Sequence, residues 1–433
     1  PGLVKMLEMA HQTHGKAPWA DLFQPAIRLA EQGFEISPRL HLLLAKVPQV
    51  ARREAIKAYF YNKQSQPKAV GTVLRNPAYA QSLRDIAAEG STAFYQGDIA
   101  RKLVATVNGD AENPGSLSLQ DLRNYQVKKR PGLCRPYRQY RVCSMGPPSS
   151  GGVAVLQILG MLEHFDLAAL APNSAPALHL FAEAAKRAYA DRDTYLADTD
   201  FVNVPINGLL DAAYLKQRSA DISAQQASKQ VQPGRFAALQ YHRSSSLEFP
   251  STTHLSIIDG SGMAVSMTSS IETAFGSRLM SSGFLLNNQL TDFSFLPVHN
   301  DVLIANRVEA GKRPRSSMSP TMVFDAEGNP LLIIGSPGGS RIINYVALNL
   351  IRVLDWQLPI DVALAAGQAV QMSGGLELEN GRFSAATISA LQERGHAISS
   401  KALNSGLHAI QRLPDGKLIG AADPRREGVA AGH

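Results

Sequence analysis

Apolar positions in the first 130 residues recur at helical spacing. In PWADLFQPAIRLAEQGFEISP, residues 18–38, Leu22, Ile27, Leu29 and Ala30 are expected on one side of a helix that stops at a left-handed Gly33. SLSLQDLRNYQV predicts a second, short helix capped by Ser118. In GPPSSGGVAVLQILGMLEHF a Pro147-Pro148 turn and two glycines lead into an apolar helix. APALHLFAEAAKRAYADRDTYLAD then predicts a long amphipathic helix with Leu178, Phe181, Ala185, Ala188 and Tyr189 on its inner face. Residues 217–250 are polar and lack an apolar period, the pattern of a linker or mobile tail.

The pattern changes at residue 252. TTHLSIID, MAVSMTSS, GFLLNN, PTMVFD and PLLIIGSP are short, rich in β-branched and apolar residues, and separated by GSG, SSG and EGN turns. TTHLSIID suits a buried strand. Helical spacing returns in GSRIINYVALNLIRVLDW and IDVALAAGQAV. This order predicts an α/β (α+β) protein with stacked sheets covered by helices on both outer faces.

Composition narrows the function classes. The chain has 433 residues, 45% hydrophobic and 18% charged, enough apolar material for a large core. Its 43 basic and 36 acidic residues leave a net +7 that is spread thinly. The densest basic stretch, RVEAGKRPRSS at 307–317, is short and broken by proline, so it suits a solvated or substrate-facing loop better than a nucleic-acid stripe. No apolar run approaches the ~20 residues of a membrane-spanning helix. The chain opens on Pro1 with no initiator methionine or charged leader, which leads us to expect a missing amino-terminal segment. Cys134 and Cys143 flank a predicted hairpin, where they are either bridged or two separate buried thiols. No His, Cys or Glu cluster has metal-ligand spacing, and neither a metal nor a cofactor is expected.

Candidate chemistry sits where the polar tract meets the first strand. If DGSG at 259–262 turns the chain back on itself, paired positions sum to about 522, so Thr252 faces Ser270 or Ser269. Paired strand-end hydroxyls are either caps or a nucleophile with its partner. A loose segment before a threonine at a rigid strand start also suits cleavage at Ser251-Thr252 by the Thr252 hydroxyl. The freed α-amino group, with an ordinary pKa near ~7.7–8.0, would then be the base for its own hydroxyl. His254 lies on the same strand face and is expected to be a packed, hydrogen-bonded residue.

Eight stretches, in order along nearly the whole chain, resemble the γ-glutamyltransferases, or glutathione hydrolases, of the amino-terminal-nucleophile hydrolases. They are PWADLFQPAIRLAEQGF, GPPSSGG, FAEAAKRAYADRDTYL, TTHLSIID, GFLLNNQLTDFS, RPRSSMSPT, GSPGGSRI and GAADPRREG. The resemblance implies a four-layer αββα sandwich made as a proenzyme, with residues 1–251 as the large-subunit portion and 252–433 as the small one, together one composite domain. It makes Thr252 both the cleavage site and the nucleophile and Ser270 its orienting hydroxyl. Gly338 and Gly339 supply an oxyanion hole, Gln289 and Asp292 hold a substrate ammonium, and Ser316 and Ser317 hold its carboxylate. Without the resemblance, ordinary turn and cap chemistry is the preferred reading of these four polar residues, and GSPGG reads as a tight strand-to-helix turn, which is compatible with an oxyanion hole.

The chain also departs from the family pattern. Glu272 stands where better-known members carry an asparagine that contacts the head group, and its charge favours an ammonium but repels a carboxylate. Ser270 stands where threonine is usual. The family's carboxylate-binding arginine is expected upstream of residue 1, and the segment after Asp292 looks shorter than in members with a lid, which implies a more open pocket. The expected substrates are a glutathione-like γ-glutamyl amide with water or an amino acid as acceptor, in the periplasm or outside the cell. An acylase acting on glutaryl or cephalosporin amides, and an uncleaved relative without activity, are the alternatives.

Overall fold

The structure is a computed structural model that describes residues 2–236, 239–244 and 251–432. The chain divides into two compact units, one of residues 1–129 and 273–288, the other of residues 130–272 and 289–433. Among the described residues no helix is long and apolar enough to cross a membrane.

The first unit is built from short helices. Trp19–Phe23 is a 3-10 turn that runs into a helix at Gln24–Gln32, which buries Ile27 and Ala30. Leu22 and Leu29 lie on the other side, 53% and 55% exposed, so the expected four-residue face divides. At 100° per residue Ile27 and Ala30 point about 60° apart, and that narrower pair faces the core. Gly33 does stop the helix, at φ 94°, and a Cβ there would lie 2.5 Å from Val73 Cγ1. Ser118 caps Leu119–Asn124 in a reciprocal pair with Asp121. Phe275, from the 273–288 excursion, packs into a core of Ile36, Leu44, Val50, Ile56 and Phe60.

The second unit is organised around a six-stranded antiparallel sheet. Its spatial order is Leu418–Ala422, His408–Arg412, Pro330–Gly335, Thr321–Phe324, Tyr140–Ser144, Leu133–Tyr137. The last two strands are the predicted hairpin. Cys134 and Cys143 face each other across it and are joined by a disulfide. Val142, Val323, Leu332 and Ile334 of the sheet form one core with Leu156, Phe181, Ala185, Val346 and Leu350. Those partners come from helices Gly151–Leu162, Ala175–Tyr195 and Ile342–Leu354.

Helix Ala175–Tyr195 is buried nearly all round rather than on one face. Its charged residues are satisfied inside the protein: Glu183 accepts from Lys186 at 2.7 Å and Arg187 at 2.9 Å. Asp191 accepts from Gln157, Tyr214 and the Gly234 N–H. The described part of 217–250 is likewise docked, not loose. Ala212–Ala220 is helical, Ala227 N donates to Arg394 O at 2.6 Å, and Ser244 N donates to Asp193 O at 2.9 Å. Of the expected linker, residues 237–238 and 245–250 lie outside the described residues.

Thr252–Ile258 and Ala264–Ser270 form a two-stranded hairpin in the predicted register, Thr252 opposite Ser270. Its face toward the large sheet is polar, which reverses the expectation of an apolar buried strand. Ser256 Oγ reaches His408 O and Ser266 Oγ reaches Ile334 O, each at 3.4 Å, while Leu255 and Ile257 are 40% and 50% exposed. Hydroxyls can be buried at this face because the strands below offer carbonyl acceptors.

Candidate active site

Alternation along the hairpin puts Thr252 and His254 on its inner face, and both are buried. Thr252 Oγ1 donates to Ser270 Oγ at 3.3 Å, and Ser270 Oγ donates to Ser251 O, also at 3.3 Å. The nucleophile candidate, its neighbour and the carbonyl before it thus form one chain of hydrogen bonds. Both links are longer than the usual 2.7–2.8 Å of an O–H···O bond, so the chain is assembled but not tight. Glu272 N donates to Ser270 Oγ at 2.9 Å, which fixes that hydroxyl from a third side. Arg426 donates to Thr252 O at 3.2 Å.

Glu272 itself is buried at φ 76°, an uncommon backbone state for a residue with a side chain. Its main-chain N–H ties it to the Thr252 cluster.

His254 is not the base. Its Nδ1 meets Thr268 Oγ1 at 2.8 Å and its Nε2 meets Ser256 Oγ at 3.1 Å, so both ring nitrogens are used away from Thr252. Burial, helped by His408, pushes its pKa down to about 3, and it is neutral at ordinary pH. The ring lies against Gly335, where a Cβ would come within 2.2 Å of it. Gly335 ends the strand that leads, three residues later, into Gly338 and Gly339.

Those two glycines have φ 145° and 59°, a run that residues with side chains rarely adopt. A Cβ on Gly338 would also lie 2.7 Å from the Tyr345 ring. The turn is held on both sides: Arg341 pairs with Glu377 at 2.7 and 3.1 Å, and Tyr189 donates its hydroxyl to Ser340 O. The helix Ile342–Leu354 begins directly after it.

Gln289 and Asp292 bound a single 3-10 turn, with Asp292 buried. Asn306 Nδ2 donates to Asp292 O at 2.8 Å, and Arg315 N donates to Asn306 Oδ1 at 3.0 Å. One buried asparagine therefore joins the Gln289–Asp292 turn to the start of Ser316-Ser317. Ser316 Oγ donates to Ser149 Oγ at 2.9 Å, and Ser150 N and Oγ both donate to Ser316 O at 2.7 Å. Ser317 Oγ accepts from Arg192 at 2.7 Å, and Arg192 also reaches Ser150 Oγ and Asp193.

Sequence reasoning missed Arg192, Asn306, Arg426 and the serines of GPPSSGG as parts of this architecture. The signal for Arg192 was present: a cation in a helix whose neighbours are all core residues must be paired inside. Asn306 and Arg426 act through main-chain atoms of distant residues, which no local pattern announces.

Comparison with known proteins gives a consistent result. The family model described as Gamma-glutamyltranspeptidase matches residues 1–433. The glutathione hydrolase proenzyme of Escherichia coli strain K12 is 37% identical over 447 aligned residues, covering 100% of this chain and 75% of that protein. The acylase ACY 1 proenzyme of Pseudomonas sp. strain V22 is 35% identical, covering 99% and 74%. Among solved structures, cephalosporin acylase from Bacillus halodurans superposes with a TM-score of 0.85 at 24% identity, covering 100% of this chain and 78% of that one. This likeness establishes the αββα amino-terminal-nucleophile fold.

Proposed function

The chain belongs to the gamma-glutamyltranspeptidase family of glutathione hydrolase-like proenzymes, and from that premise we propose that it cuts itself before Thr252 and then transfers γ-glutamyl groups through a threonyl ester. The observation that carries this reading is the hydrogen-bond chain from Thr252 Oγ1 through Ser270 Oγ to Ser251 O. In the precursor Thr252 Oγ1 attacks the Ser251 carbonyl carbon. Its proton passes toward Ser270, whose own hydroxyl donates to the carbonyl oxygen as that oxygen gains charge. The Ser251–Thr252 C–N bond breaks as the Thr252 nitrogen takes the proton released from Oγ1, relayed by Ser270, and the ester that is left is hydrolysed by water. Residues up to 251 then end in a carboxylate, and Thr252 carries a free amine.

In the mature enzyme that amine takes the proton from Thr252 Oγ1 and the oxygen attacks the γ-amide carbon. The N–H groups of Gly338 and Gly339 receive the oxyanion, where glycine permits close approach. The leaving amine departs with the proton, and water or an amino-acid amine resolves the ester. Gln289 and Asp292 take the substrate ammonium, and Ser316 and Ser317 its carboxylate. Their shared anchorage through Asn306 supports the grouping. The Cys134–Cys143 disulfide supports maturation in an oxidising compartment, the periplasm or the cell exterior.

Intact-mass analysis of the wild type and Thr252→Ala tests the scheme: two chains split before residue 252 in the first, one unbroken chain in the second. A wild type that turns over amide substrates with the bond whole rules it out. A second reading, acylase action on glutaryl amides, is favoured by the 35% identity to an acylase proenzyme. Comparing γ-glutamyl and glutaryl anilides separates the two, since only the first carries an ammonium.

A further inference from the structure

The first compact unit contains a polar cavity of about 250 Å³ whose lining includes Gln49, Arg52, Arg53, Glu112, Arg278 and Asn288. Three guanidinium groups meet one carboxylate there. Arg53 is already matched: it pairs with Asp110, and its Nη2 lies 3.1 Å from Glu112. Both carboxylates are thereby occupied. No ion pair involves Arg52 or Arg278 among the described residues, so the guanidinium groups lining this space outnumber its one carboxylate.

The wall carrying Arg278 is a built turn rather than a loose loop. Gly276 and Arg278 both have left-handed backbones, φ 52° and 62°. Gly276 is pressed so close to Leu286 O that a Cβ would lie 1.9 Å from it. Ser277 N and Oγ both donate to Leu286 O, at 2.8 and 3.1 Å, and Arg278 N donates to Phe275 O at 2.9 Å. A side-chain residue in the left-handed region is unfavourable relative to the usual wells, and here it aims a cation at a cavity where glycine would have been easier.

We propose that this cavity is a binding site for a small oxyanion, held by Arg52 and Arg278 with side-chain amide donors from Gln49 and Asn288. Planar guanidinium forks match carboxylate and phosphate oxygens alike, so the two share one recognition chemistry. The site goes beyond the transfer reaction and does not depend on it. It nonetheless has a route to that reaction through the chain, because the Thr273–Asn288 segment is bounded in sequence by Glu272 and Gln289. An anion clamped on this segment restrains the backbone from which both residues emerge.

Calorimetric titration of the whole chain with succinate and, separately, inorganic phosphate at low ionic strength tests the proposal. The wild type should bind at least one of them saturably, one per chain. Preference for succinate marks a carboxylate ligand, preference for phosphate a phosphate ester, and either supports the site. Arg52→Gln with Arg278→Gln should weaken binding tenfold or more, each single variant should weaken it less, and Glu112→Gln should tighten it. Neither arginine makes an ion pair among the described residues, so thermal unfolding of the single variants should match the wild type. Absence of saturable binding to the wild type, or equal affinity across the arginine variants, overturns the proposal.

Discussion

Replacing Ser270 by alanine removes the middle of the hydrogen-bond chain at the proposed cleavage site, and its effect follows from three distances. Ser270 Oγ accepts from Thr252 Oγ1 at 3.3 Å, donates to Ser251 O at 3.3 Å, and accepts from Glu272 N at 2.9 Å. The bond to Ser251 O strengthens as that oxygen becomes an oxyanion, and losing one such donor costs about 2.7–4 kcal/mol of barrier. The long ground-state distance favours the lower end, about 3 kcal/mol, or a slowing of roughly 100-fold. A separate cost of about 1–2 kcal/mol in folding stability comes from the stranded Glu272 N–H. The assay is the fraction of precursor remaining against time, by intact mass, with urea denaturation in parallel to isolate the stability term. Ser270→Thr keeps the oxygen and should process within about tenfold of wild type. If folded Ser270→Ala matures within a factor of about three of wild type, the hydroxyl carries no part of the barrier and the relay is wrong.

Other outcomes test other parts of the architecture. Gly335→Ala should lose about 1–3 kcal/mol in urea denaturation, because the His254 ring fixed at both nitrogens cannot yield to the new methyl; unchanged stability refutes that packing. Asn306→Ala should raise KM for the donor amide and leave precursor cleavage unchanged, since its side chain joins the two segments proposed to hold the substrate; slowed cleavage instead would place it in the Thr252 cluster. Removing the Cys134–Cys143 bridge, which closes a separation of 9 residues, should cost about 2–3 kcal/mol by chain entropy, read as the change on reduction. Burial depresses the pKa of His254 to about 3 and of His396 to about 4, so the unfolded chain binds protons below ~6.5 that the folded chain refuses. Their contribution is therefore present above about pH 6.5 and is lost as pH falls toward 4, by about 2 kcal/mol each at pH 5. His396→Gln should flatten that slope by about one proton, and an unaltered slope contradicts the assignment.

Much of the candidate site was legible because its signals are local. The Thr252–Ser270 pairing follows from a glycine turn and a period of two, and the fold class follows from the change of period at residue 252. The glycines at 338 and 339 announce an unusual backbone whatever their chemistry. Other features were set by tertiary context. The inner face of the Thr252 hairpin is polar because His254, Ser256, Ser266 and Thr268 find partners in one another and in carbonyls of strands far away in sequence. Leu22 and Leu29 fit a helical stripe by hydropathy, but only the Ile27–Ala30 direction meets a neighbour. The helix Ala175–Tyr195 looked amphipathic because a charged residue buried in a matched pair is indistinguishable, one chain position at a time, from one in water.

Thr252 is paired with Ser270 of the neighbouring strand and gripped at its carbonyl by Arg426. A terminus created there begins life immobilised. Ordinary chain ends fray because nothing beyond them restrains the last residue, and an amine on such an end samples many positions relative to its own hydroxyl. Here the restraint comes from downstream of the proposed break, so scission would not loosen the residue that remains. Ordering the new reactive end requires little further loss of freedom.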